Sequence, residues 1–268
     1  MFAASLACCA LAAAAPSGAE AYDFAVALAR RGPRPAASAA ERRAQQRVAA
    51  RFRAAGLRVA YDRFGVPGKG RSRNVIGIRD APGDCLVIAM AHADSVPPSP
   101  GAHDNASGVG MLVALAPALD TPACDIWLVA TGAEERPYTG TRDHLGASAL
   151  VRRLKRMNRL RDVRLALSLD EVGRGARFDL HSTASRPRAD VERRILEAGR
   201  GRMRWVRDPR GEGNSDHREL ARAGAPAAKL GVVSEPCRHT ACDTPDRLER
   251  AALRRVARIV WPLLQTWR

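Results

Sequence analysis

Residues 85–94 read Cys-Leu-Val-Ile-Ala-Met-Ala-His-Ala-Asp, and the order of apolar and polar residues in this stretch predicts the fold. The first seven residues form a continuous apolar run, which is typical of a strand that is covered on both faces. We therefore place this run in the middle of a parallel sheet. His92 and Asp94 follow at the carboxyl end of the strand, where open α/β sheets bind their ligands.

Strand-like and helical patterns alternate along the rest of the chain. The strand-like stretches are residues 57–64, 74–79, 125–131, 163–169, 178–181 and 227–233. The helical patterns cover residues 22–31, 39–55, 106–119, 141–157, 189–199, a short segment near His217, and 245–267. This alternation predicts a single-domain α/β fold, with a mostly parallel, doubly wound mixed sheet and helices on both faces.

The chain has 268 residues and a formal net charge of +16, so a polyanion such as nucleic acid is a conceivable partner. However, all but three of the 44 basic residues are arginine and the chain is rich in alanine, a bias that a GC-rich genome produces. Aromatic residues make up 4% of the chain. Binding to single-stranded nucleic acid requires aromatic residues interleaved with basic ones, and the basic runs of this chain lack them. We therefore expect a basic, solvated surface and no nucleic-acid partner.

The leader, residues 1–21, differs in composition from the rest of the chain. It carries a single charge and ends in Ala-Glu-Ala at positions 19–21, which is typical of a secretory signal peptide with its cleavage site. We expect the leader to be removed and residues 22–268 to be secreted or periplasmic, with no membrane contact after cleavage. Cys8 and Cys9 leave lipoprotein anchoring as the alternative.

Four cysteines remain after the leader, an even number that predicts two disulfides in an oxidising compartment. Cys237 and Cys242 bracket His239, which allows a zinc knuckle as an alternative. One tight loop offers too few ligands for a closed zinc site, so we expect a local disulfide. Cys85 and Cys124 each begin an apolar run, and a disulfide can join them if the two runs are neighbouring parallel strands.

Acidic residues and histidines follow several of the predicted strands, at the edge of the sheet where ligands bind. They are His92, Asp94, Asp104, Glu134, Glu135, Asp170, His239 and Asp243. Each has an ordinary structural explanation by itself; Asp104, for example, could cap the helix that follows it. Acids that converge on one crevice repel each other unless cations hold them. Their shared position at strand ends therefore favours a metal site.

The motifs around these residues resemble those of the secreted bacterial di-zinc aminopeptidases of the leucyl-aminopeptidase type, whose relatives include glutaminyl-peptide cyclotransferases. The resemblance extends from about residue 22 to the C-terminus and implies a zinc exopeptidase-like fold. The matching motifs are H-x-D-S at residues 92–95, G-A-x-D-N-x-S-G at 101–108, the paired-glutamate motif at 131–140, the strand-end Asp170, S-D-H at 215–217, a G-I-P-A-like stretch at 224–227, and H-T-x-x-D-T at 239–244.

The resemblance implies two zinc ions per chain and gives a role to each motif residue. The implied ligands are His92 and Asp170 for one ion, Glu135 and His239 for the other, and Asp104 for both. Nitrogen and oxygen donors suit zinc, and three protein ligands per ion leave room for a water molecule. Glu134 is the implied general base for a metal-bridged hydroxide, and Asp94 is implied to orient the imidazole of His92.

The implied activity is that of an exported aminopeptidase, a monomer that removes N-terminal residues from peptides with a free N-terminus. A glutaminyl-peptide cyclotransferase on the same scaffold and a catalytically inactive binding domain are the alternatives. Leu220, Arg238 and Glu171 depart from the residues common in the family, which leaves the substrate preference open. The residues expected at the substrate pocket are Ser215, Asp216, His217 and Arg238.

Overall fold

The structure is a computed structural model, and it describes residues 15–136, 144–183, 189–208, 214–232 and 235–268. Its strands are β1 (Arg58–Val66), β2 (Gly70–Arg79), β3 (Leu86–His92), β4 (Asp125–Thr131), β5 (Val163–Leu169), β6 (Phe178–Thr183), β7 (Met203–Asp208) and β8 (Ala227–Gly231). The α-helices of the described residues are α1 (Ala19–Ala29), α2 (Ala39–Ala54), α3 (Ser107–Leu115), α4 (Leu145–Arg156), α5 (Ala189–Ala198), α6 (His217–Arg222) and α7 (Arg250–Thr266).

The strands form one sheet with the order β1-β2-β4-β3-β5-β8-β6-β7. The four central strands β4, β3, β5 and β8 are parallel to one another, as are β6 and β7. The pairs β1–β2, β2–β4 and β6–β8 are antiparallel. The mostly parallel mixed sheet expected from the sequence is therefore confirmed.

Strand β3 is buried over its whole length, and its side chains alternate between two hydrophobic cores. Val87 and Ala89 belong to the core that includes buried side chains of α1, α2, α3 and α7. Ile88 and Met90 belong to a second core that includes side chains of α4 and α6. Helices therefore cover both faces of the sheet, as expected for a doubly wound fold.

Strand β7 and the last helix differ from the sequence-based expectation, and parts of two other predicted elements lie outside the described residues. Strand β7 was not predicted, because it is an edge strand in which arginines interrupt the apolar residues; the exposed Arg204 pairs through Nε with Asp179 Oδ1 at 3.0 Å. The last predicted helix begins at Arg250, since residues 245–247 form a separate 3₁₀ turn. Residues 141–143 of a predicted helix and residue 233 of a predicted strand lie outside the described residues.

Both predicted disulfides are present. Cys85 and Cys124 directly precede the neighbouring parallel strands β3 and β4, and their Cα atoms are 4.7 Å apart. The second disulfide joins Cys237 and Cys242, whose Cα atoms are 5.2 Å apart. These cysteines are therefore bonded to each other, and the alternative of a zinc knuckle around His239 is not adopted.

Helix α1 overlaps the end of the predicted signal peptide. It begins at Ala19, and Ala21 is buried against Gly110 of α3. Residues 1–14 lie outside the described residues, so the leader stays a prediction. Among the residues that the structure describes, no helix has both the length and the apolar composition that a membrane span requires.

Candidate metal centre

Three buried side chains meet at the carboxyl ends of β3 and β5. His92 ends β3, Asp170 directly follows β5, and Asp104 lies in the one-turn segment Ala102–Ala106 before α3. The Nε2 atom of His92 is 3.1 Å from Oδ1 of Asp104 and 3.5 Å from Oδ1 of Asp170. The sheet brings His92 and Asp170 together because neighbouring parallel strands end at the same edge.

A second group of side chains shares Asp104 with the first. Glu135 lies in the loop after β4, and His239 lies between the two cysteines of the Cys237–Cys242 disulfide. The Nε2 atom of His239 is 2.9 Å from Oε2 of Glu135 and 3.3 Å from Oδ2 of Asp104. The two carboxylate oxygens of Asp104 therefore face two different groups of donors.

The donor atoms converge, but several of them do not satisfy one another. Asp104 Oδ1, Asp170 Oδ1 and His239 Nε2 are buried and form no hydrogen bond of acceptable geometry to any described residue. Such buried polar atoms are costly unless a ligand satisfies them. Within each group, the donor atoms lie within 4.8 Å of one another. Nitrogen and oxygen donors in this arrangement fit a divalent cation such as zinc.

The crowding of buried acids disturbs their pKa values. Burial, together with the charge of Asp104, raises the pKa of Glu135 to about 8. Burial and the charge of Glu134 likewise raise the pKa of Asp216 to about 7. Burial is the larger cause of both shifts, because it disfavours the charged form, and repulsion from the neighbouring carboxylates adds to it.

Asp94 fixes the loop that carries the two adjacent glutamates. Its Oδ1 accepts a hydrogen bond from the backbone N–H of Glu134, and its Oδ2 accepts one from the backbone N–H of Glu135, both at 3.1 Å. The Nδ1 atom of His92 lies 3.2 Å from the backbone carbonyl oxygen of Asp94, which leaves Nε2 facing Asp104. Asp94 therefore positions the groups around the centre without entering either donor group.

Asp243 and Arg34 hold the turn that carries Asp104. The Asp243 carboxylate accepts hydrogen bonds from the backbone N–H groups of His103 at 2.7 Å and Asp104 at 3.0 Å. The buried guanidinium of Arg34 donates to backbone carbonyls of the loop formed by residues 93–101. Burial lowers the pKa of Arg34 to about 10, so it remains a fixed positive charge beside the acids at neutral pH.

Lys229 on β8 is a buried cation at the centre, and no sequence motif pointed to it. Its Nζ atom is 2.9 Å from Oδ2 of Asp170 and 3.5 Å from Oε2 of Glu171. Burial alone would raise the pKa of Asp170, but the charge of Lys229 and the contact with His92 hold it well below its usual range. Lys229 therefore keeps Asp170 ionised.

His144 is the second residue at the centre that no motif indicated. It is fully buried, with Nε2 3.2 Å from Oε1 of Glu134 and Nδ1 3.5 Å from Oε1 of Glu219. Burial lowers the pKa of His144, but the two carboxylates outweigh this effect and raise it to about 10. The imidazole is therefore positively charged beside Glu134 at neutral pH.

Four non-glycine residues next to the centre adopt the left-handed backbone conformation, with φ between 51° and 60°. They are Ala133, His144, Glu171 and His239. Each such residue lowers the stability of the fold by about 1–3 kcal/mol, and it persists only where the surrounding structure holds it. Residues of this kind concentrate at functional sites. Their clustering around one crevice supports the assignment of this region as the functional site.

The residues expected at the substrate pocket occupy two different environments. Ser215, Asp216 and His217 are fully buried; the hydroxyl groups of Ser215 and Ser168 are 2.8 Å apart, and Asp216 accepts a hydrogen bond from the hydroxyl of Thr131. Ser215 and Asp216 therefore contact the ends of β5 and β4, and His217 follows them at the start of α6. Arg238, in contrast, is partly exposed beside Asp104. Their roles toward a substrate stay predictions.

The sequence profile of peptidase family M28 matches residues 74–264. The chain belongs to peptidase family M28. The matched span includes His92, Asp104, Glu135, Asp170 and His239, and so covers both donor groups of this M28 chain.

Solved structures with this fold include aminopeptidases and glutaminyl cyclases. The zinc aminopeptidase BSAP from Bacillus subtilis superposes with a TM-score of 0.81 and 19% identity over 91% of this chain and 93% of that one. A leucine aminopeptidase precursor from Bacteroides thetaiotaomicron gives a TM-score of 0.83 with 20% identity, over 96% and 99% of the two chains. A glutaminyl cyclase from the same bacterium gives 0.81 with 19% identity, over 94% and 98%. These likenesses show the fold.

One curated relative matches part of the sequence. Aminopeptidase YwaD of Bacillus subtilis (strain 168) is 39% identical over 89 residues, which is 30% of this chain. The match spans 20% of that protein's length.

We predict that Lys229→Met destabilises the zinc-free protein by about 3 kcal/mol, because it leaves the buried carboxylates of Asp170 and Glu171 without their cation. Urea unfolding measured in the presence of a chelator checks this value. Lys155→Met is the matched control, since Lys155 is exposed on α4 and its loss should change the stability by less than about 0.5 kcal/mol. Equal stability of the two variants would contradict the role given to Lys229.

Proposed function

We propose that the chain is an exported zinc-dependent aminopeptidase that hydrolyses N-terminal residues from peptides. The supporting observation is the position of Asp104, whose Oδ1 is 3.1 Å from Nε2 of His92 and whose Oδ2 is 3.3 Å from Nε2 of His239. This arrangement suits two metal ions that share one carboxylate. In this proposal His92 and Asp170 hold one zinc ion, and Glu135 and His239 hold the other.

The proposed mechanism gives each remaining residue one task. Bound zinc would polarise the scissile carbonyl and lower the pKa of a water molecule. Glu134 takes a proton from the attacking water, whose oxygen bonds to the carbonyl carbon, and passes the proton to the amine as the C–N bond breaks. His144, whose Nε2 is 3.2 Å from Oε1 of Glu134, holds that carboxylate in position. Asp94 holds the backbone of both glutamates, so that Glu135 would be placed to hold a metal ion and Glu134 to accept a proton from water.

A glutaminyl-peptide cyclotransferase is the second candidate function. The observation in its favour is that a glutaminyl cyclase superposes on the chain with the same TM-score, 0.81, as the zinc aminopeptidase. In that reaction an N-terminal amine attacks its own glutamine side chain and ammonia leaves. Glu134 could move the proton in either reaction, so a direct comparison of substrates is needed.

We predict that the purified protein carries up to two zinc ions per chain and releases nitroaniline from aminoacyl-nitroanilides. A chelator should abolish this activity, and added zinc should restore it. Elemental analysis and the nitroanilide assay check both statements, with pyroglutamate formation from an N-terminal glutamine peptide measured in parallel. Full activity in a metal-free sample would contradict the zinc assignment, and pyroglutamate formation without amino-acid release would favour the cyclotransferase.

The two adjacent glutamates should respond differently to the same substitution. We expect Glu134→Gln to keep the fold and the zinc but to lower the turnover rate by roughly 10²- to 10⁴-fold, the contribution of a positioned base. Glu135→Gln removes an anionic ligand, so zinc content should fall together with activity. Metal analysis and single-turnover rates on both variants check these roles. Equal zinc loss in the two variants, or near-normal turnover in Glu134→Gln, would show that the roles are wrong.

We also propose that residues 1–21 are removed on export and that residues 22–268 act as a monomer. The two disulfides support an oxidising location. Intact mass of the protein recovered outside the cytoplasm should correspond to a chain that begins at Tyr22, and size-exclusion chromatography should give the monomer mass. An exported chain that retains its leader would contradict this proposal.

A further inference from the structure

Among the described residues, most side chains of the metal centre are buried, and those of one loop are partly exposed. His92, Asp104, Glu134, Glu135 and Asp170 are each at most 3% exposed. The loop closed by the Cys237–Cys242 disulfide differs, because the side chain of His239 is 28% exposed and that of Arg238 is 34% exposed. In the part of the chain that the structure describes, the guanidinium of Arg238 therefore lies on the exposed side of the centre.

The guanidinium of Arg238 keeps free donors on this exposed side. Its Nε donates a hydrogen bond to Oδ2 of Asp104 at 3.2 Å. Among the described residues, Asp104 is the one hydrogen-bond or ion-pair partner of the Arg238 side chain. The two Nη groups of Arg238 therefore have no acceptor in the described part of the chain. A planar guanidinium with two unused Nη groups can bind a carboxylate through paired hydrogen bonds.

Glu235, three residues before Arg238, pairs with other cations. Glu235 pairs with Arg174 at 3.3 Å and with Arg247 at 2.5 Å, and it also accepts a hydrogen bond from the backbone N–H of Cys237. The backbone N–H of Arg238 donates to the carbonyl oxygen of Glu235 at 3.1 Å. These contacts and the disulfide fix the loop. The guanidinium of Arg238 therefore stays beside Asp104, on the exposed side of the centre.

We propose that Arg238 binds a carboxylate group of the substrate and that the enzyme prefers acidic substrates. The proposal rests on the aminopeptidase function proposed above. The carboxylate has two possible sources, namely the side chain of an N-terminal Asp or Glu and the α-carboxylate of a dipeptide. The net charge of +16 also favours acidic substrates, because the field of a basic protein attracts anions from beyond hydrogen-bond distance.

The first measurement compares substrates on the wild-type, zinc-loaded protein. Glutamyl- and aspartyl-nitroanilides are compared with leucyl-nitroanilide, and a Leu-Leu dipeptide is compared with its C-terminal amide. We expect kcat/KM to be about 10- to 100-fold higher for the substrate that carries the recognised carboxylate, the range of a charge-assisted pair of hydrogen bonds. A preference in the first comparison identifies the side-chain carboxylate, and a preference in the second identifies the α-carboxylate.

The second measurement removes the proposed contact. In Arg238→Gln, the ratio of kcat/KM for the acidic substrate to that for the neutral one should fall by at least about 10-fold, mainly through KM. Arg238→Lys keeps the charge but loses the paired hydrogen bonds, so its ratio should be intermediate. Zinc content and the affinity of free glutamate, measured by calorimetry, give readouts that do not depend on turnover. Arg47→Gln on the exposed face of α2 is the matched control for loss of one surface charge and should leave the ratio unchanged.

The outcomes separate the two proposals. A wild-type enzyme that cleaves leucyl-nitroanilide without any preference for a carboxylate overturns the role of Arg238 and leaves the aminopeptidase function standing. A preference that persists in Arg238→Gln with full zinc content also overturns it. Absence of cleavage for every substrate, with glutamine cyclisation present, would instead overturn the aminopeptidase function. If Arg238→Gln lowers the zinc content, the ratio in Arg238→Lys decides instead, and a ratio equal to that of the wild type overturns the role of Arg238.

Discussion

The crowding of buried carboxylates at the carboxyl ends of β3, β4 and β5 is the constraint on which the rest of the structure depends. Asp104, Glu135 and Asp170 are each at most 2% exposed, and their charges repel strongly in a medium of low dielectric constant. Among the described residues, the cations beside them include Arg34, Lys229 and Arg238. In our proposal zinc supplies the remaining positive charge, and so the centre and the fold around it stabilise each other.

The backbone around the centre is fixed mainly by side chains that are not in either donor group. Asp94 binds the loop of the paired glutamates, and Asp243 binds the turn of Asp104. The Cys237–Cys242 disulfide closes the loop that carries His239. This arrangement separates two tasks, since the buried side holds the acids in place and, in our proposal, the partly exposed loop faces the substrate.

The sequence predicted the middle of the sheet better than its edges. Strands β4 and β5 have the bounds that their apolar runs predict, because strands buried on both faces read as continuous apolar stretches. Strand β7 was missed because an edge strand interrupted by arginines lacks that pattern. The motifs pointed to the acids and histidines of the centre, but Lys229 and His144 meet partners that are distant in sequence. A signal for Lys229 was present, since it is one of three lysines in an arginine-rich chain.

Anomalous diffraction at the zinc absorption edge, from crystals of the metal-loaded protein, tests the central claim most directly. We expect two peaks about 3.5–4 Å apart, one beside His92 and Asp170 and the other beside Glu135 and His239, with the Asp104 carboxylate between them. The absence of any peak within bonding distance of Asp104, or a zinc ion bound by a different set of residues, would contradict the account.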